Sequence, residues 1–306
     1  MPINHVIVVG AGAMGSYFAA RLTESGTNVS LIDVDDARLA LIASNGITID
    51  DSEGLRTVKV VSGRADLIAG QADLIILFTK GAHSRAAIAS VAHMVGPETR
   101  ALTLQNGVGN AETIAAVVNP ARILMGITDI PCDLIDPTSV ASHGHGHIAL
   151  GAYASDDPTD GQAVTGLLLG AGFDVTHDPA VRIAVWEKIA FNAAMNAICA
   201  VTTLVVGQLD TPSGRRVIGA VVQEVVAVAQ ANGILVDPAR IADKINHALA
   251  NHVHHKPSML QDRLAGRQSE IETINGAVVR EGVVAGVTTP VNQILADLMR
   301  TVEAAR

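Results

Sequence analysis

The feature that most restricts what this chain can become lies within its first fifteen residues. Val6-Ile7-Val8-Val9 is a continuous apolar run, the pattern of a strand buried on both faces. Gly10-Ala11-Gly12-Ala13-Met14-Gly15 follows at once and reads G-x-G-x-x-G. A helical pattern, Ala13–Glu24, continues from it and ends before Gly26. The first glycine of such a loop permits a tight turn, the second lets a pyrophosphate approach the backbone, and the third lets helix and strand pack closely. Free N–H groups at the positive helix end then seat the phosphates. The hexapeptide alone also serves as a plain connector. Strand, loop, helix and a second strand, Asn28–Asp33, occurring in order make it a dinucleotide-binding fingerprint. Gly10, Gly12, Ala13, Met14 and Gly15 are therefore expected at a cofactor. Asp33 closes the second strand 18 residues after Gly15, where an acid accepts from a ribose 2′-hydroxyl. Val34, Asp35 and Asp36 follow, with Arg38 as the nearby cation, and Asp35 or Asp36 also suits a helix cap. Several carboxylates at short range repel a 2′-phosphate, so NAD(H) is expected in preference to NADP(H).

The alternation continues. Helix Ala37–Ser44, strand-like pieces Ile47–Asp50 and Thr57–Val61, strand Leu74–Phe78, helix His83–Val95, strand Ala101–Leu104, helix Glu112–Val118 and strand Ile123–Ile127 imply right-handed crossovers and a mostly parallel sheet. After Gly151 the character changes. Helix Ala163–Leu169 is followed, from Pro179 on, by helical patterns at Ile183–Cys199, Arg216–Ala231, Pro238–Asn251, Ser258–Leu264, Ile271–Glu281 and Pro290–Glu303. The expected fold class is α/β: an N-terminal Rossmann-type, mostly parallel sheet over residues 1–178, followed by an all-helical C-terminal domain over 179–306. At 306 residues the chain has length for two domains.

Composition excludes several classes. A formal charge of −9, from 21 basic and 30 acidic residues, argues against nucleic acid and anionic membrane partners. Four Phe, two Tyr and one Trp supply few stacking surfaces. Two cysteines, Cys132 and Cys199, make no disulfide framework. No signal-peptide pattern precedes the first strand and no uninterrupted apolar run reaches membrane length, so a cytoplasmic protein is expected.

A second constellation lies on the long helix. Lys188, Asn192 and Asn196 are spaced i, i+4, i+8 and form one polar row among Val185, Ile189, Ala193, Ala194, Ile198 and Ala200. A lone helical lysine is usually solvated. A polar row in an apolar helix instead suits a cleft, where lysine donates a proton to a carbonyl oxygen and asparagines orient a substrate without adding charge. Further polar groups occur in Lys256-Pro257-Ser258-Met259-Leu260-Gln261-Asp262, in Arg267-Gln268-Ser269-Glu270-Ile271 and in Ile274-Asn275-Gly276. Ser258 also suits an N-cap, and Ser269 with Glu270 a helix start.

With these segments, the Gly10–Gly15 loop and Gln105-Asn106-Gly107-Val108-Gly109, the chain resembles the ketopantoate reductases (2-dehydropantoate 2-reductases) over nearly its whole length. The resemblance implies reduction of a small 2-oxo acid, ketopantoate or a close analogue, in pantothenate biosynthesis, with substrate in a cleft between the two domains. It implies Lys188 as the general acid and Glu270 as the acid that supports it. Asn106 would stand at the nicotinamide–substrate junction, Asn192, Asn196 and Ser258 on the substrate, and Lys80 near the cofactor. There are departures. Many members carry arginine where this chain has Val34. A Thr-His-Gly-Ala-like stretch reads Thr128-Asp129-Ile130-Pro131, and a substrate asparagine of some members falls at Val206.

His143-Gly144-His145-Gly146-His147 would place three imidazoles on one strand face, and His252, His254 and His255 form a second group. Alternating histidines alone are weak grounds for a site, and no metal is expected. Two other functions stay open: a 3-hydroxy acid dehydrogenase, which also uses Lys-x-x-x-Asn after a Rossmann domain, and a non-catalytic NAD-binding sensor. A homodimer is the default expectation for such a fold.

Overall fold

The computed structural model describes residues 2–305. The chain divides into two compact units, Met1–Gln105 with Asn110–Val181, and Asn106–Gly109 with Arg182–Arg306. In the first unit the elements run β1 (His5–Val9), α1 (Ala13–Glu24), β2 (Asn28–Ile32), α2 (Asp36–Asn45), β3 (Ile47–Asp51), β4 (Gly54–Val58), β5 (Val61–Gly63), β6 (Leu74–Leu77), α3 (Ser84–Ser90), β7 (Arg100–Thr103), α4 (Asn110–Ile114), β8 (Ile123–Thr128), β9 (Asp133–Asp136), β10 (Ser139–Ser142), β11 (His147–Ala152), α5 (Thr159–Gly170) and β12 (Asp174–His177).

Eight of these strands form one sheet in the order β12-β11-β8-β7-β6-β1-β2-β5. Neighbours are parallel throughout except β8 with β11. The chain builds outward from β1 in one direction through β2 and β5, then in the other through β6, β7 and β8. That leaves a switch point at the carboxyl ends of β1 and β6, where ligands bind in open α/β sheets. The continuous apolar runs follow from burial on both faces. Val6 and Val8 join the core beneath α1, with Phe18, Leu31, Leu74 and Ile76. Ile7 and Val9 point the other way, to the core under α3 and α4 with Ile75, Leu77, Ile88 and Ile114.

Two expectations are corrected here. Thr57–Val61 is not one strand. Gly54, with φ +97°, turns β3 back on itself so that β4 pairs antiparallel with β3, in a separate sheet ordered β4-β3-β10-β9. Only at Val61 does the chain rejoin the large sheet, as β5 beside β2. His143–His147 is not one strand either. β10 ends at Ser142, and Gly144, at φ +121°, takes a conformation open to glycine but not to a strand of L-residues. Of the three imidazoles only His147 lies on β11, while His143 Nε2 lies 3.4 Å from Asp50 Oδ2.

In the second unit the helices are α6 (Val181–Thr202), α7 (Pro212–Ala231), α8 (Pro238–Asn251), α9 (Ser258–Leu264), α10 (Asn275–Ala285) and α11 (Pro290–Ala304). α7, α10 and α11 pack on one another. α10 begins at Asn275 and not at Ile271, because Ile274 (φ −104°, ψ −93°) leaves the helical region. Residues 271–274 form a hydrogen-bonded turn, with the Thr273 and Ile274 N–H groups both donating to the Glu270 carbonyl at 3.1 Å. No helix among the described residues is long and apolar enough to cross a membrane.

Candidate active site

The three loop glycines meet three different surroundings. Gly10 has φ +105°, and a Cβ there would lie 2.9 Å from the Phe78 carbonyl carbon and the Thr79 nitrogen. A Cβ on Gly15 would lie 1.8 Å from the Gly10 carbonyl oxygen, so only glycine lets α1 close on β1. A Cβ on Gly12 would meet nothing within 4 Å. Gly12 is thus not needed for internal packing, and its bare backbone faces open space at the start of α1, where no side chain caps the helix. This is the cradle that a pyrophosphate requires. Ala13 and Met14 supply the first turn of α1.

Asp33 is tied to this loop. Its Oδ2 accepts from the Ala11 N–H at 2.5 Å, and its Oδ1 accepts from the Val34 and Asp35 N–H groups at 2.7 and 3.1 Å. Of the two cap candidates, Asp35 and not Asp36 caps α2, accepting from the Arg38 N–H at 3.0 Å. Gly10, Gly12, Asp33, Val34 and Lys80 line one cavity of about 670 Å³. Sequence reasoning missed other members of its wall: Arg64, Asp66, Thr79 and His83. They come from crossovers 30 to 50 residues beyond Asp33, and no local pattern marks them. Arg38 is consequently not the one cation here. Its Nε and Nη2, and the Thr79 hydroxyl oxygen, are buried without a hydrogen-bond partner. Burial pushes the Arg38 guanidinium below the ordinary arginine pKa, against the opposing pull of Asp33, Asp35 and Asp136. A cavity with an open glycine face, a carboxylate at the β2 end and unsatisfied buried donors fits the adenosine and pyrophosphate part of a nicotinamide dinucleotide.

The second unit carries the polar row. α6 places Asn192 and Asn196 at 8% and 5% exposure and Lys188 half-buried. The rotation of α6 about its axis is fixed next door. Buried Glu187 accepts from Arg240 Nε and Nη2 at 3.0 and 2.6 Å and from the Asp237 N–H at 3.1 Å, which turns Lys188 about 100° away from α8. Ser258 is not an N-cap; it is the first residue of α9. The capping acceptor is Asn196, whose Oδ1 takes the Met259 N–H at 3.2 Å and lies 3.4 Å from the Ser258 hydroxyl. Asn196 therefore presents its amide nitrogen to its other surroundings. Asn106 Nδ2 donates to Glu270 Oε2 at 3.0 Å. The loop that carries Asn106 is shaped by Gly107, at φ +93°, where a Cβ would lie 2.0 Å from the Thr273 carbonyl oxygen. The structure thus joins Asn106 with Glu270 and Asn196 with Ser258.

The remaining candidates resolve simply. Burial pushes the thiols of Cys132 and Cys199 up to about 12, which removes both as nucleophiles. Among the described residues no group of three or more His, Cys, Asp or Glu could hold a metal ion. Val206 is buried, and its N–H donates to the His255 carbonyl at 3.1 Å.

Comparison with known proteins identifies the family and the fold. Residues 6–155 match the ketopantoate reductase PanE/ApbA family, and residues 180–303 match its C-terminal domain. The 2-dehydropantoate 2-reductase of Streptococcus pyogenes (serotype M6) is 31% identical over 302 residues, covering 98% of both chains. A structure of D-mandelate dehydrogenase with NADH and anilino(oxo)acetate superposes with a TM-score of 0.93 at 26% identity, over 98% of this chain and 99% of that one. The 2-dehydropantoate 2-reductase of Geobacter metallireducens GS-15 gives 0.88 at 28% identity, over 97% and 99%. With a Rossmann-type sheet, a glycine-loop cavity and a helical unit bearing the Lys-Asn-Asn row, this chain belongs to the ketopantoate reductase family of oxidoreductases acting on CH–OH groups.

Proposed function

We propose that this protein reduces a small 2-oxo acid, ketopantoate or a close analogue, to the 2-hydroxy acid, with NADH as the preferred donor. When bound, the reduced nicotinamide supplies hydride to the keto carbon. Lys188 donates the proton that the forming alkoxide takes up, so one hydride and one proton complete the alcohol. Glu270 holds that lysine in place and in its charged form, and Asn106, hydrogen-bonded to Glu270, orients the reacting carbonyl. Asn192, Asn196 and Ser258 hold the hydroxyl and carboxylate ends of the substrate. Gly10, Gly12, Ala13, Met14 and Gly15 seat the pyrophosphate, Lys80 lies along the cofactor, and Asp33 accepts from the adenosine ribose.

The observation that supports this reading is the Asn106–Glu270 hydrogen bond at 3.0 Å, 164 residues apart in sequence. A sensor has no use for an acid paired with an asparagine in a unit that also carries Lys188. Asp33 and the exposed Val34 support NADH, because neither offers a 2′-phosphate a donor. The likeness to an NADH-bound D-mandelate dehydrogenase favours a second substrate, an aryl 2-oxo acid.

The test is NADH oxidation with ketopantoate, phenylglyoxylate, aliphatic 2-oxo acids and 3-oxo acids. Turnover of 2-oxo acids is expected, lowered about 10²–10⁴-fold in kcat by Lys188→Ala with NADH affinity little changed. Turnover of 3-oxo acids alone would assign a 3-hydroxy acid dehydrogenase. Near-normal kcat in Lys188→Ala would remove the lysine from the mechanism.

A further inference from the structure

Four helices of the second unit are stitched together by a polar chain, buried at its two asparagines, that the proposed chemistry does not use. It starts at Glu224 on α7. Glu224 Oε1 accepts from the Val291 N–H at 2.8 Å, and Oε2 accepts from the Asn292 N–H at 2.9 Å and from Asn292 Nδ2 at 2.7 Å. A carboxylate in this position only accepts, so Asn292 must turn its amide nitrogen toward it and its oxygen away. That oxygen accepts from Asn275 Nδ2 at 3.0 Å, and the same nitrogen gives its second hydrogen to the Ala193 carbonyl of α6, also at 3.0 Å. The orientation of both amides is therefore dictated from α7. Asn275 and Asn292 are fully buried, and Asn275 Oδ1 has no partner.

A buried acceptor left unsatisfied is destabilising, and apolar residues of similar volume often replace buried polar groups without loss. The amide is thus held at a cost to the fold, and its position shows what it holds. Its contact on α6 is the peptide carbonyl one residue past Asn192, on the helix that carries Lys188 and Asn196. On its own side, Asn275 is the first residue of α10, directly after the turn whose N–H groups close on the Glu270 carbonyl. Asn275 is the hydrogen-bonded joint between the segment that carries Glu270 and the helix that carries Lys188.

We propose that Asn275 is a positioning residue, setting the Glu270 turn against α6 so that Glu270 and Lys188 work as a pair. The inference rests on the proposed roles of those two residues. A displacement of about 1 Å at such a pair is enough to cost about 10²-fold in rate. Asn275→Ala is expected to lower kcat about 10–100-fold in a 2-oxo acid assay, with NADH affinity by calorimetry unchanged, because Asn275 lies outside the cofactor cradle.

The deciding measurement is a double-mutant cycle on kcat. If Asn275 acts through Glu270, Asn275→Ala in a Glu270→Gln background should lose little beyond the single Glu270→Gln variant, since the group to be positioned is already disabled. A merely structural role would multiply the two losses. Should Asn275→Ala not fold by circular dichroism, Asn292→Ala, which removes the acceptor orienting Asn275, takes its place in the cycle. Normal kcat in the folded variant, or multiplied losses in the cycle, would overturn the proposal. If Lys188→Ala or Glu270→Gln itself keeps normal kcat, the failure belongs to the parent mechanism.

Discussion

A single methyl group separates the roles of two glycines five positions or fewer from Gly10. Gly15 faces the Gly10 carbonyl oxygen at a distance no Cβ tolerates, whereas Gly12 faces open space. Gly15→Ala should therefore destabilise the first unit, seen as an earlier denaturant midpoint whether or not cofactor is present. Gly12→Val should shift that midpoint far less, since a Cβ there meets nothing within 4 Å and the change costs only the poorer helix cap that valine makes. It should nonetheless abolish measurable NADH binding by calorimetry, because the branched side chain fills the face that a pyrophosphate approaches. Normal binding by Gly12→Val would reduce the loop to a connector. Cofactor choice is argued at the same scale. Asp33→Ala with Val34→Arg removes a carboxylate and adds a donor beside Arg38 and Arg64, so the ratio of NADH to NADPH affinity should move toward NADPH. Fluorescence titration of both cofactors at fixed salt measures it, and tighter NADPH binding by the wild type would refute the Asp33 argument.

Among the elements, the end of α6 is the strained one. Thr203, immediately after the helix, has φ +62°, a left-handed conformation that a β-branched residue adopts only against steric repulsion. It is exposed and its hydroxyl bonds only locally, to the Thr202 carbonyl at 2.5 Å. Thr203→Gly should thus stabilise the second unit by about 1 kcal/mol in urea unfolding, and a loss of stability would show that packing outweighs the strain. Elements whose boundaries carry local chemistry were legible in the sequence. Ala13–Glu24, Pro238–Asn251 and Ser258–Leu264 have the predicted bounds, set respectively by the glycine loop, by Asp237 accepting from the Ala239 and Arg240 N–H groups, and by Pro257. Elements decided by distant partners were not. Nothing between Thr57 and Val61 announces that one end pairs with β3 and the other with β2. Even α9, whose start Pro257 marks, takes its cap from an asparagine 63 residues away, which no window around Ser258 contains. For the same reason the sequence offers candidates only where a motif surrounds them, while Arg64 and Thr79, which join the cavity wall through non-local neighbours, and Asn275, which bonds to α6 and α11, carry no local signal.

At the scale of the molecule, a prediction for acid rests on the ionic cluster around Asp51 in the first unit. Asp51, at the end of β3, accepts from Arg56 Nη1 at 2.6 Å, Arg21 Nη1 at 3.1 Å, the Glu53 N–H at 2.9 Å and the Tyr17 hydroxyl at 3.2 Å. Arg21 belongs to α1 and also donates through Nε and Nη2 to the Ala171 carbonyl, between α5 and β12. Arg56 belongs to β4 and grips Glu24 with its Nε and Nη2 edge. Burial alone would raise the Asp51 carboxyl, but the hydrogen bonds from Arg56, the Glu53 backbone and Arg21, with the charge of Arg56, outweigh it and hold the group down to about 2. A carboxyl depressed in the folded state stabilises above its unfolded pKa, near 3.8, and that contribution disappears as pH falls through about 2. The contribution is about 2 kcal/mol at neutral pH. Asp51→Asn should therefore unfold at lower urea than wild type at pH 7, and the difference should shrink steadily between pH 4 and about 2, where the wild-type group is itself losing its charge. An equal gap at pH 7 and at pH 2 would mean that Asp51 contributes shape and not charge. In that case acid sensitivity would have to arise from another ionic cluster, the nearest in kind being Arg100, Arg122 and Asp160, where two guanidinium groups share one buried carboxylate between β7 and α5.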